Sequence, residues 1–278
     1  MTDPSQPLFL FGPGFSAKAL AKIWAGPVFG TVRSETSARA LQQTPIIPVS
    51  VEEYAALRNN IAEAHLVISA PPTDGGCPAM QTLGEAARAA ASVTYLSTTG
   101  VYGDLDGGWA MEWSKAQPQS VRARRRYAAE QAWVEMADRL AIVRLPGIYG
   151  PGRSAFERLR TGKARRIVKP GQVFSRAHVD DIAAGLKAIL LAGEQGVFNL
   201  CDDQAAPPQA VIAYAADLLQ MAVPPEIPFD QAELSSMGQS FYSECKRVSN
   251  ARLKSATGWR PTFPTYREGL NAILAAET

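Results

Sequence analysis

Three stretches of this 278-residue chain hold residue types at spacings that could do chemistry. In the first, Gly12-Pro13-Gly14-Phe15-Ser16-Ala17 has the form G-x-G-x-x-A. There Gly12 permits a sharp turn, Gly14 leaves room for a pyrophosphate, and Ala17 takes the position that packs helix on strand. A helix opening at Phe15 would direct its unpaired amides and positive dipole end at the phosphates. In the second, Arg33-Ser34 stands about 20 residues further on, where an acidic side chain would hold a free ribose 2′-hydroxyl. A guanidinium and a small hydroxyl suit a 2′-phosphate instead, which favours NADP over NAD as the cofactor. In the third, His178-Val179-Asp180-Asp181 sets an imidazole beside two carboxylates, a composition that in isolation suits acid/base work.

These residues need elements to position them, and the hydrophobic pattern supplies alternating strands and helices. Leu8-Phe9-Leu10-Phe11 is an apolar strand ending in the Gly12 turn, and an amphipathic helix follows it. Further strands are expected over residues 27–32, 45–49, 65–69 and 92–97, with helices after Arg33 through Gln43, over 51–64 and over 79–91. This alternation predicts an α/β chain with a Rossmann-type, doubly wound parallel sheet. In such sheets ligands bind beyond the carboxyl ends of the strands where the strand order reverses, which brings Ala70 and Pro71 to the same crevice as Gly12. His65, at the start of a strand, falls on the opposite side and reads as structural. Residues 1–150 then form the dinucleotide-binding domain and 151–278 mainly a smaller substrate lobe, with 177–203 returning to the sheet. Residues 165–168 and 173–176 read as a hairpin or two short strands. The proline-rich stretch from Ala205 onward reads as a substrate lid, with Arg176, Lys246 and Arg247 as its cations.

Composition narrows the class. With 46% hydrophobic residues, 19% charged and a net charge of +2, the chain is ordinary and globular, with no charge asymmetry toward nucleic acid. The run Arg122 to Arg126 is isolated and reads first as a solvated helix face. Cys77, Cys201 and Cys245 are widely spaced, which suits neither a disulfide framework nor a metal site and fits a reducing cytoplasm. No stretch approaches about 18 consecutive apolar residues, and the first residues lack a secretory pattern, so no membrane partner is expected.

Leu96-Ser97-Thr98-Thr99-Gly100-Val101-Tyr102-Gly103 resembles the strand-five signature of the extended short-chain dehydrogenase/reductase family, the NAD(P)-dependent epimerases and dehydratases. The resemblance continues in Ala128-Ala129-Glu130-Gln131, in Arg144-Leu145-Pro146-Gly147-Ile148-Tyr149-Gly150-Pro151-Gly152, in Arg176 to Ala183, in Phe198-Asn199-Leu200 and in the tail at Ser249 to Leu253 and Thr257 to Pro261. It implies that Leu145, Pro146 and Ile148 line the cofactor beside Thr98, that a small-molecule substrate binds, and that a homodimer is a possible assembly. In the family a Ser or Thr orients the substrate, a Tyr exchanges a proton, and a Lys four residues later lowers the phenol's pKa.

Thr98 matches the first role, whereas the Tyr and Lys positions fall on Arg122 and Arg126. A guanidinium stays protonated, so Arg122 serves for binding an anion or stabilising negative charge and cannot exchange a proton. A literal Tyr-x-x-x-Lys at Tyr242 and Lys246 lies far downstream and reads as chance. Tyr102 and Tyr149 follow strand ends that open on the crevice, and Tyr102 or water is the expected carrier of the proton. Implied by the resemblance is an NADP(H)-binding oxidoreductase or epimerase acting on a small polar, anionic or sugar-like substrate. The alternative is a dinucleotide sensor or regulatory protein without turnover. In the resembling family the aspartates of the His178 stretch cap a helix and brace the fold.

Overall fold

The computed structural model describes residues 3–277. Leu8–Phe11 (β1) has four apolar residues in succession, and all four are buried. A strand alternates its side chains between two faces, so such a run is stable only where both faces are covered. Leu8 and Leu10 enter one apolar core and Phe9 and Phe11 another, which makes β1 the middle of three layers.

The sheet continues with Val28–Val32 (β2), Ile46–Ser50 (β3), His65–Ile68 (β4) and Ser92–Thr98 (β5). A two-residue strand, Trp109–Ala110 (β6), stands outside it. Leu140–Leu145 (β7) rejoins the main sheet, Gly147–Tyr149 (β8), Arg166–Val168 (β9) and Arg176–His178 (β10) leave it, and Gly196–Asn199 (β11) completes it. The order is β11-β7-β5-β4-β1-β2-β3, with every neighbour parallel. The chain winds outward from β1 to β3 and then restarts on the other side at β4. The crevice between the carboxyl ends of β1 and β4 is therefore the point where the strand order reverses, the place where sheets of this kind bind ligands. The Rossmann-type sheet expected from the alternation is present.

Phe15–Ile23 (α1) covers one face through Ala17, Leu20 and Ala21. After it come Glu35–Arg39 (α2), Tyr54–Ile61 (α3), Pro78–Leu83 (α4) and Val121–Met136 (α5). Leu57 and Ile61 of α3, Leu83 of α4, and Ala129 and Trp133 of α5 cover the opposite face. Ala155–Arg160 (α6) belongs to the smaller lobe, whereas Val179–Ala192 (α7) lies beside α1 with Ile182, Leu186 and Ile189 in the same core. Pro208–Leu218 (α8), Ser236–Tyr242 (α9), Ala251–Thr257 (α10) and Tyr266–Ala275 (α11) follow. Phe156, Ala215, Leu270 and Tyr149 form a separate core under the lobe.

Local chemistry shortens several expected elements. The helix expected over 79–91 is α4 followed by a 3₁₀ turn at Gly84–Ala89, because Gly84 has φ +48°, a left-handed backbone that ends an α-helix. The helix after Arg33 is only the five residues of α2, and that over 51–64 is only α3. The segments around 165–168 and 173–176 do not pair with each other as a hairpin. Instead β9 pairs parallel with Glu226–Pro228 (β12), and β10 pairs parallel with β8. Arg247–Val248 (β13) likewise pairs parallel with β6. Long-range register, set by the lobe's own packing, overrides a plausible local turn.

Candidate functional site

At the β1 end the turn is dictated by the backbone. Gly12 has φ +72°, and a Cβ there would stand 2.7 Å from the Cβ of Ala70 at the end of β4. The close approach of these two strand ends therefore requires glycine. The Gly12 amide donates to Thr31 Oγ1 on β2 at 2.8 Å, which holds the turn over the sheet. Gly14 is the N-cap of α1, and no side chain caps the helix there. Its first amides have no intrahelical partner, so they remain available to an anion. A Cβ at Gly14 would meet only Ser69 Oγ at 3.5 Å and the Gly12 carbonyl oxygen at 3.9 Å; nothing in the fold itself excludes a side chain at this position.

The other expected cofactor residues lie at or after the carboxyl ends of β2, β4, β5 and β7 and at the start of α1. The ring of Phe15 lies against Gly150, where an added Cβ would come within 3.2 Å of it, and the Arg153 guanidinium sits 5.6 Å from its centre. These contacts connect the turn to the segment after β7. Leu145 ends β7 in register with Thr98, and Pro146 and Ile148 beyond it are half-buried. Ala70 is buried and Pro71 exposed at the end of β4. Arg33 follows β2 and is exposed, and no ion pair among the described residues involves its guanidinium. Ser34 caps α2, its hydroxyl accepting from the Ser37 amide at 3.2 Å. Its hydroxyl therefore already has a structural task as an acceptor.

Across the crevice, Thr98 Oγ1 accepts from the Gly100 amide at 3.1 Å, leaving its hydroxyl proton to donate elsewhere. A Cβ on Gly100 would lie 3.4 Å from Thr98 Oγ1 and 3.6 Å from the Ala123 Cβ, so β5 brings Thr98 close to the start of α5, where Arg122 is exposed. Arg126 has turned into the sheet. Its Nη1 donates to the Leu96 carbonyl at 2.5 Å and approaches the Tyr95 hydroxyl at 3.4 Å. Burial pushes that Tyr95 phenol up to about 12 despite the guanidinium.

Tyr102 corrects an expectation. It is fully buried, its hydroxyl donates to Asn199 Oδ1 at 2.7 Å, and the Arg144 guanidinium lies 4.7 Å from its ring centre. Burial raises its phenol pKa further above the ordinary value. Its strand-end position led outward in sequence, but the 3₁₀ turn at Thr99–Tyr102 carries the ring back into the core. It is not a crevice acid. Tyr149 is also buried, with its phenol pushed upward by desolvation.

The remaining titratable candidates are structural in their contacts. His178 is buried, and its Nδ1 accepts from the Asp180 amide at 3.2 Å; burial lowers its pKa and keeps the imidazole neutral. Asp181 accepts from the amides of Thr262 and Phe263 at 2.7 and 3.0 Å, a brace between α7 and the tail. His65 Nδ1 pairs with Ser92 Oγ at 2.7 Å. Lys246 is tied to Glu244 at 2.6 Å and to the Gly103 carbonyl, and Arg247 donates to the Gly107 carbonyl. Arg176 differs: its Nη1 donates only to the carbonyls of Phe174 and Ala206, at 2.8 and 3.0 Å. Asp202 nearby was not singled out from the sequence. It carries no motif, and only burial makes it unusual, pushing its carboxyl up to about 8.

No family model matches the chain. In sequence it is 27% identical, over 86% of its length and 77% of the relative's, to the 3-diazoavenalumate denitrifying reductase of a Streptomyces species. Among solved structures, a conserved protein of unknown function from Silicibacter pomeroyi is 42% identical, with a TM-score of 0.91 over 98% of this chain and 100% of that one. The UDP-glucose 4-epimerase of Thermus thermophilus in complex with NAD has a TM-score of 0.75 at 19% identity, over 97% of this chain and 99% of that one. The resemblance to epimerases and dehydratases, first carried by ordered motifs, thus extends to the fold of nearly the whole chain.

Proposed function

We propose that this chain, built on the fold of the NAD-dependent epimerases and dehydratases, is an NADP(H)-dependent oxidoreductase acting on a small polar, anionic substrate. The observation that carries the reading is the Gly12 turn. A left-handed glycine packed on Ala70 delivers a helix whose first amides no side chain caps, at the point where the strand order reverses. Gly14 supports it, because the open space beside it would be filled by any side chain. A nicotinamide dinucleotide, when bound, supplies or accepts a hydride. In this reading Gly12, Gly14 and the start of α1 hold the pyrophosphate, and Arg33 the 2′-phosphate. Leu145, Pro146 and Ile148 line the nicotinamide end.

Thr98 donates its free hydroxyl proton to a substrate oxygen, and Arg122 stabilises negative charge there without moving a proton. With Tyr102 withdrawn into the core, the proton comes from water. A second reading, a dinucleotide sensor without turnover, is favoured by one observation: Arg126 is spent on the Leu96 carbonyl and supports no phenol.

Calorimetric titration with NADPH and NADH, repeated on Arg33→Ala, tests the cofactor assignment. Loss of one charge-assisted contact should weaken NADPH about tenfold or more while NADH changes less than about twofold. Equal losses for both would remove Arg33 from the 2′-phosphate. Oxidation of NADPH by any substrate class would set aside the sensor.

A further inference from the structure

We infer that Arg153, which leads the chain into the smaller lobe, is a further cofactor-binding residue. Its guanidinium shares the pyrophosphate with the first amides of α1, so that the lobe itself takes hold of the dinucleotide. The inference rests on the reading of the Gly12 turn as a dinucleotide cradle, and adds to that cradle a residue from the second half of the chain.

Backbone bonds fix the turn that presents Arg153. The Gly150 amide donates to the Arg153 carbonyl at 3.2 Å, and the Arg153 amide donates to the Gly150 carbonyl at 3.0 Å, closing the chain tightly over Pro151 and Gly152. This turn is pressed on the start of α1. A Cβ at Gly150 would stand 2.6 Å from Val179 Cγ1 and 3.2 Å from Phe15 Cζ, so glycine at this position sets how near the turn can come. Phe15 is the first residue of α1 and is half-buried, and the Arg153 guanidinium lies 5.6 Å from the centre of its ring. A ring face supports a planar guanidinium without using its N–H donors, which stay available to an anion. On the other side, Ser154 caps α6 in a reciprocal pair with Glu157, and Phe156 enters the lobe's own core. Arg153 thus stands at the joint between the cofactor crevice and the lobe.

The charges around this turn are unbalanced. The first turn of α1 has no acidic residue and no side-chain cap, so its amides and the positive end of its dipole are unanswered. A guanidinium beside that end is unfavourably placed unless an anion joins the two. Arg153 is exposed, and its guanidinium makes no ion pair or side-chain hydrogen bond among the described residues. Asp180, which follows Val179, has its carboxylate 3.7 Å from His178 Nδ1 and makes no ion pair with Arg153 among the described residues. Two positive groups therefore meet at Phe15, and the chain neutralises neither. A pyrophosphate answers both, because its oxygens can accept from backbone N–H groups and from a guanidinium at once. In the same reading the 2′-phosphate falls to Arg33 beyond β2. The two arginines then differ in what they select: Arg33 favours NADPH over NADH, whereas Arg153 favours neither.

The test is calorimetric titration of the full chain with NADPH, NADH and ADP-ribose, which keeps the pyrophosphate but lacks the nicotinamide and the 2′-phosphate. Arg153→Gln should weaken all three by the same factor, about tenfold. Arg153→Lys keeps the charge without the planar fork, and should recover part of that loss. Phe15→Leu removes the ring that supports the guanidinium, and should weaken the same three ligands several-fold. Added salt should lower the affinity of the unaltered protein for ADP-ribose more steeply than that of Arg153→Gln. Without ligand, Arg153→Gln should melt at the same temperature as the unaltered protein, because the side chain is exposed. Unchanged affinities in Arg153→Gln, or a loss for NADPH with NADH and ADP-ribose unaffected, would overturn the inference and leave the cofactor reading in place. If the unaltered protein bound none of the three, the cofactor reading would fall and this inference with it.

Discussion

Helices α1 and α5 both begin beyond the carboxyl ends of interior strands, and their first turns are finished in opposite ways. α1 starts at Gly14 with no side-chain cap, so its amides are left for whatever anion arrives. α5 starts at Ser120, whose hydroxyl accepts from the Ala123 amide at 3.2 Å. The next turn of α5 then carries arginines at the positive end of its dipole, an unfavourable place for cations. Three of them have found acceptors: Arg124 the Gln119 carbonyl, Arg125 the Asp74 carboxylate, Arg126 the Leu96 carbonyl. Arg122 alone of the four is left exposed with no such partner among the described residues. A helix start becomes a ligand site where the chain has not already satisfied it.

The largest effect tests what anchors α5. Glu130 and Arg144 form a two-pronged pair at 2.7 and 3.1 Å, and both side chains are almost wholly buried. Removing the carboxylate in Glu130→Ala leaves a buried guanidinium uncompensated, and should cost about 3–5 kcal/mol in urea unfolding. An unchanged midpoint would mean that α5 is held by its apolar face alone. At the other helix, Gly12→Ala forces a side chain into a left-handed backbone and onto Ala70. The strain alone should cost about 1–2 kcal/mol, with NADPH binding abolished in calorimetry. Retained binding would show that the turn yields more than its geometry suggests.

The sharpest comparison exchanges the caps. Gly14→Ser has room for its Cβ, and its hydroxyl can cap α1. Thermal stability should hold or rise by a few tenths of a kcal/mol while NADPH binds about tenfold more weakly. Ser120→Ala should do the reverse, losing about 1 kcal/mol of stability and leaving NADPH affinity unchanged. If both substitutions acted on stability alone, the two helix starts would be equivalent and the cofactor would bind elsewhere.

Much of this was legible in the chain. The run Leu8 to Phe11, broken by Gly12 and Gly14, specified a buried strand and a tight turn, because continuous burial and left-handed backbone each demand particular residue types. The resemblance gave the aspartates of this stretch as capping and bracing residues; Asp181 does brace the tail, whereas the cap of α7 is His178. Tyr102 was not legible, since the turn that carries it inward depends on Asn199 and Arg144, which join the chain far downstream. Nor was the parallel pairing of β9 with β12, where a nearby hairpin was equally compatible with the local residues. Arg126 was expected from the resemblance to take the place of a lysine; its guanidinium is directed to the Leu96 carbonyl by the packing of α5 on β5.

The sequence by itself determined the parallel sheet, the position of its reversal and the glycine cradle, because hydrophobic period and backbone freedom are properties of adjacent residues. Only the tertiary structure decided which polar groups are spent and which are left over. Whether Arg122 is left exposed while Arg126 is bound, and whether Tyr102 turns inward onto Asn199, depend on what distant segments bring within hydrogen-bond reach.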